Sequence, residues 1–179
     1  MPNPTFVYRE EWQAAAFRGK VHSLGSPELI VVHHTAGFRA ATLEDGKRQV
    51  REIQRLHQGP PRNWADVGYH FLIDASGNAY QGRPFFRGSR IEDVPSFAMG
   101  AHVRNQNSKK IGVCLLGCFH SANQDCNDQP SPASISSLRQ ILAFLIEMYG
   151  VRPKNIKTHR DFLSTDCPGD TLFQLVSNL

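Results

Sequence analysis

The chain has 179 residues, 40% hydrophobic and 20% charged, with 14 Gly, 11 Pro and four Cys. That is enough for one core in one domain spanning residues 1–179, and it excludes a disordered, collagen-like, coiled-coil or disulfide-scaffold chain. Twenty Lys and Arg against sixteen Asp and Glu give a formal +4, a mild bias toward a polyanionic partner that does not choose between nucleic acid and an anionic wall. No apolar run approaches the ~20 residues that a membrane-spanning helix needs.

In chain order, the opening MPNPTFVYREEW has neither a basic nor an apolar signal region, which predicts cytoplasmic synthesis without a signal peptide. The cysteines then read first as thiols or metal ligands, with a loop-closing Cys118–Cys126 pair left open. Residues 28–36, ELIVVHHTA, form a β-branched run between Gly-Ser-Pro and Gly37 and predict a buried central strand. From Thr42 the spacing of Leu43, Val50, Ile53 and Leu56 predicts an amphipathic helix ending near Gly59-Pro60, with Asp45 in a capping-box-like position. Its Lys47, Arg48, Arg51 and Arg55 read as a solvated face.

Residues 69–74 and 79–83, joined by Ala75-Ser76-Gly77-Asn78, predict a hairpin. Residues 84–106 read as a long irregular loop, and 111–118, IGVCLLGC, as a second buried strand. Ser131-Pro132 opens a helix with the stripe Ile135, Leu138, Ile141, Leu142, Leu145 and Ile146, closed by Gly150, and a short helix starts about Asp170. Strands and helices in this mixed order predict an α/β domain, a central mixed β-sheet flanked by helices. The loop 121–130 suggests no function.

Eight histidines prompt a search for converging donors. Two segments stand out: His33-His34 on the central strand, and HRDFLSTDCPG at residues 159–169. Neighbours in a strand point to opposite faces, so one of the two strand histidines at most can join His159 and Cys167 on one ion. Two His and one Cys would leave a fourth tetrahedral position open, the catalytic form of a zinc site and the mark of a hydrolase. The pattern alone leaves metal ligation and ordinary packing equally open, and no paired Cys-x-x-Cys suggests a zinc finger.

Four motifs, in order, are Arg9-Glu10-Glu11-Trp12, IVVHHTAG at 30–37, DVGYHFLID at 66–74 and HRDFLSTDCPG at 159–169, with GAHVRNQNSKKIGVCLLG at 100–117 between the last two. On these the chain resembles the zinc-dependent N-acetylmuramoyl-L-alanine amidases of the amidase type 2 family, which includes peptidoglycan-recognition proteins and phage amidase lysozymes. The resemblance implies hydrolysis of the amide between N-acetylmuramic acid and the L-alanine of the stem peptide. It places one catalytic Zn2+ on His33, His159 and Cys167, leaves His34 packed beneath the site, and leaves Asp166 outside the ligand set.

It further implies that Tyr69 donates a hydrogen bond to the reacting oxygen and that Thr165 orients water or oxyanion where phage relatives often carry lysine. His70, His102 and Arg104 fall on the groove lining, with Arg104 suited to a stem-peptide carboxylate. Arg83, Arg87, Arg90, Lys109 and Lys110 would rim the irregular loop, and Trp64 stacks either on sugar or under the helix. Expected partners are peptidoglycan or muropeptides, with no membrane and no nucleic acid, for a monomer. Three biological readings follow: an endolysin-like lytic amidase reaching the wall after holin-type release, a cytoplasmic muropeptide-recycling amidase, or a catalytically silent peptidoglycan-binding module.

Overall fold

A computed structural model describes residues 6–120 and 126–178. Residues 121–125 of the loop at 121–130 therefore lie outside the described residues, as do the first five of the chain. Among the described residues eight strands are present: β1 Phe6–Val7, β2 Leu29–His34, β3 Phe71–Ile73, β4 Ala79–Gln81, β5 Phe85–Arg87, β6 Ser96–Phe97, β7 Lys110–Leu115 and β8 Ile156–Thr158. Three helices accompany them: α1 Leu43–Gln58, α2 Pro132–Tyr149 and α3 Asp170–Ser177. Six strands form one sheet in the order β1-β4-β3-β7-β2-β8, and β5 and β6 form a separate ribbon. Only the β3–β4 hairpin is antiparallel within the large sheet, so the sheet is mixed as expected.

Period-two alternation sorts the side chains. Ile30 and Val32 of β2, Ile111, Val113 and Leu115 of β7, and Phe71 and Ile73 of β3 share one core with Leu138, Ile141, Leu142 and Leu145 of α2. The opposite face is thinner, with Leu72, Tyr80, Cys114 and Leu116 packed with Val50 of α1 and the fully buried Trp12. His33 falls on the α1 face and His34 on the α2 face, where its Nδ1 accepts the Phe119 N–H at 3.2 Å.

Both long helices start where local chemistry dictates. The Thr42 side chain accepts the Asp45 N–H, and Ser131 accepts the Ser134 N–H ahead of Pro132. Gly150 ends α2 in the left-handed region at φ 68°. The apolar stripe read for α1 needs correcting: Leu43 and Leu56 are exposed, while Gln49, Gln54, His57 and Gln58 are buried. The reason is hydrogen bonding. Gln54 accepts the Ala15 N–H and donates to Asp66, and Gln58 donates to the Ala16 and Ala65 carbonyls, so α1 holds an irregular N-terminal segment whose backbone groups need partners. Arg48 and Arg55 match the solvated reading, paired with Asp45 and Glu52 three residues away, whereas Lys47, paired with Glu44, is half-buried and Arg51 is half-buried with its guanidinium donating to the Trp12 carbonyl at 3.1 Å.

Two local expectations are sharpened. Cys118 and Cys126 are joined by a disulfide with Cα atoms 4.7 Å apart, which decides the pairing left open. Arg83 is buried rather than on the rim: its Nε donates to the Val67 carbonyl at 2.6 Å and its guanidinium covers the Phe17 ring.

Candidate metal centre and its groove

β2 lies between β7 and β8, so the C-terminal end of β2 meets the first residues after β8. There His33 is the penultimate residue of β2 and His159 starts a single 3-10 turn, His159–Asp161, held because Asp161 accepts the Thr158 N–H and hydroxyl. The following loop returns Cys167 to the same point. Its thiol accepts the His34 N–H at 3.4 Å and faces His33 Nδ1 at 3.5 Å, while the Thr165 hydroxyl accepts the Cys167 N–H at 3.2 Å.

The result is one group of donors among the described residues, His33, His159 and Cys167, with ligand atoms all within 4.8 Å of one another. The His33 and His159 rings are 4.6 Å apart. His159 Nε2 is buried and has no hydrogen-bond partner among the described residues, a costly state for an imidazole nitrogen unless something else binds there. Burial, reinforced by His102 and His159, holds His33 neutral by lowering its pKa well below the ordinary value. Burial likewise lowers His159. The Cys167 thiol is pushed up to about 12 by burial, partly offset by the His34 N–H and Arg160. Two neutral imidazoles and a thiol whose donor atoms lie within 4.8 Å of one another suit a zinc-type cation better than a hard one.

Tyr69 stands beside the donors, its ring 5.2 Å from that of His33. Burial first, then the neighbouring Cys114 and Cys167, raise its pKa well above the ordinary value, so the phenol keeps its proton. The site opens into a groove of about 500 Å³ lined by His57, Trp64, Tyr69, Arg104, His159 and Leu163, among others. Arg104 is exposed on its wall, as expected. Trp64 lines it too, its ring tilted 46° against that of His57 with centroids 4.7 Å apart.

His70 does not reach the groove. Its Nε2 faces the Ala98 carbonyl at 2.9 Å and its Nδ1 accepts the Gly112 N–H at 2.9 Å, making it a buried strut between β7 and the segment that follows β6. His102 is among the groove-lining residues but only 6% exposed; its Nδ1 lies 3.0 Å from His33 Nε2. His57 of α1 is a groove residue the sequence reading missed. Its Nδ1 accepts the Gly68 N–H at 3.0 Å, and burial, then Arg62 and Arg83, push its pKa down to about 4. Its position seven residues after the buried Val50, on the same helical face, was the available signal.

The family model described as N-acetylmuramoyl-L-alanine amidase matches residues 23–170, which include all three donors, Tyr69 and the groove. The chain belongs to the N-acetylmuramoyl-L-alanine amidase family. The reading as an enzyme of that family stands with it. The chain is 32% identical over 170 residues to peptidoglycan-recognition protein SC2 of Drosophila simulans, covering 94% of this chain and 83% of that protein. It is also 32% identical over 179 residues to the human N-acetylmuramoyl-L-alanine amidase, covering 97% of this chain but only 28% of that longer protein. A solved structure of a point mutant of Drosophila PGRP-LB in complex with tracheal cytotoxin superposes with a TM-score of 0.80 at 25% identity, over 96% of this chain and 92% of that one.

Proposed function

We propose that the protein is a zinc-dependent amidase that hydrolyses the bond between N-acetylmuramic acid and the L-alanine of peptidoglycan. The observation that carries this reading is the convergence of His33, His159 and Cys167 at the head of a groove, with His159 Nε2 buried and unpartnered among the described residues. Those three side chains would hold the ion, and zinc bound there would supply Lewis acidity and bring the pKa of water toward neutrality.

The chain's own residues supply the rest. Tyr69, kept protonated, donates a hydrogen bond to the oxygen that gains negative charge as the amide carbon becomes tetrahedral. Thr165 acts through Cys167: its hydroxyl fixes the Cys167 N–H and thereby the direction of the thiol. Arg104, exposed on the groove wall, binds a stem-peptide carboxylate, and Trp64 on the groove lining offers an aromatic surface to a sugar or side chain. Structures of this fold solved with tracheal cytotoxin, a monomeric diaminopimelic acid-type peptidoglycan, support a peptidoglycan fragment as the ligand.

Recognition proteins among the relatives favour a second reading, a peptidoglycan-binding module without cleavage. One experiment separates the two. Zinc content and release of stem peptides are measured on purified sacculi and on small muropeptides, for wild type, chelator-stripped protein and Cys167→Ala. The amidase reading expects about one zinc per chain, new L-alanine amino termini from wild type alone, and loss of both properties in Cys167→Ala. Cleavage of sacculi identifies a lytic enzyme and cleavage of muropeptides alone a recycling one. Zinc with no cleavage of either leaves the binding module, and folded protein that takes up no zinc overturns the metal centre.

A further inference from the structure

His102 sits behind the donors in a chain of three groups: His33 Nε2 is 3.0 Å from His102 Nδ1, and His102 Nε2 is 3.1 Å from the Lys110 carbonyl. A carbonyl only accepts, so His102 Nε2 carries the hydrogen. In a neutral ring Nδ1 is then bare and must accept, which requires the hydrogen of His33 to sit on Nε2. The nitrogen of His33 left with a free lone pair is Nδ1, the one that faces Cys167 Sγ at 3.5 Å. A single backbone carbonyl of β7 thus fixes two tautomers and aims one lone pair at the donor cluster.

The surroundings of His102 are shaped for that ring. A Cβ added at Gly100 or at Gly112 would lie 2.7 Å from its Cδ2, and one at Gly112 would also lie 2.7 Å from its Cγ. Asn107 holds the loop in place, its Oδ1 accepting the N–H groups of His102 at 2.7 Å and Val103 at 2.9 Å. An imidazole lying on bare backbone, with both nitrogens engaged inside the protein, has no nitrogen left to offer a substrate.

We infer that His102 is a positioning residue for the metal centre, setting the tautomer and orientation of His33 rather than binding substrate. The inference rests on the zinc reading of His33, His159 and Cys167. A partner that fixes a ligating imidazole governs the affinity of the site, and its loss costs roughly 10–100-fold in metal binding.

The test uses the full chain and reads zinc binding, not turnover. Zinc affinity is measured by competition with a chromogenic chelator for wild type, His102→Ala and His102→Asn, with melting curves for each. The amide oxygen of Asn replaces the Nδ1 acceptor, so Ala is expected to weaken zinc by roughly 10–100-fold and Asn to restore most of the loss. In parallel, 15N-histidine spectra of the zinc-free wild type report which nitrogen of His33 carries hydrogen, and Nε2 is expected. Equal zinc affinity in wild type and Ala, equal weakness of folded Ala and Asn, or hydrogen on Nδ1 of His33 would each overturn the inference while leaving the metal centre intact. Should Ala not fold, Asn and the wild-type spectra decide. No zinc binding by wild type would overturn the metal centre itself, and this inference with it.

Discussion

The Tyr69 hydroxyl is held protonated by burial and by two sulfur neighbours, which keeps it available to donate a hydrogen bond to the reacting oxygen. Tyr69→Phe removes that hydrogen bond and leaves the ring. Cleavage is expected to fall by roughly 10²–10³ in kcat, the usual cost of one oxyanion donor, with zinc affinity unchanged; parallel loss of zinc would instead make Tyr69 part of the metal centre. At this scale the sequence was legible where chemistry singles out a residue type. His33, His159 and Cys167 are donors in two motifs, and the structure brings them together. The other histidines were not sorted by type. His70, His102 and His57 differ in which hydrogen bonds bury them, and those bonds go to Ala98, Lys110 and Gly68, groups with no side-chain signal at all.

Among the elements, α1 makes the sharpest test, since Gly46 sits in its first turns, where alanine would ordinarily strengthen a helix. A Cβ there would collide with the Tyr80 hydroxyl and meet Asp74 Oδ2 at 2.6 Å, and that hydroxyl donates to Asp74 at 2.6 Å. Gly46→Ala is therefore expected to destabilise by about 1–3 kcal/mol, as overpacking does, read as a lower urea midpoint; a stabilised variant would show that the helix can slide outward. Elements with local signals were readable, as Thr42 and Ser131-Pro132 mark helix starts and Gly150 a helix end. β1, β5 and β6 were not, because two or three residues carry no period and acquire their pairing only from Ala79–Tyr80 or from each other. The Cys118–Cys126 link was undecided for the same reason, since sequence gives separation and not the approach of two loop ends.

Over the whole molecule, buried neutral histidines make stability depend on pH. The folded pKa of His57, about 4, lies below the ordinary 6.5, so as pH falls the unfolded chain takes the proton first. The contribution is present above about pH 6.5 and is lost as pH drops toward 4, by about 2 kcal/mol at pH 5. His57→Asn, which keeps an acceptor for the Gly68 N–H, is expected to lose correspondingly less between pH 7 and pH 5 in urea unfolding. Equal losses in the two proteins would place the proton uptake elsewhere. The mixed sheet was legible at this scale from the order of elements, whereas the strand order was not, because nothing in a strand names its neighbour. That order matters for the history of each molecule. With β2 between β7 and β8, the donors His33 and Cys167 are 134 residues apart in sequence. The three donors can therefore meet only after the chain past Cys167 has emerged and β8 has docked beside β2, so the donor cluster is a late product of folding rather than a local one.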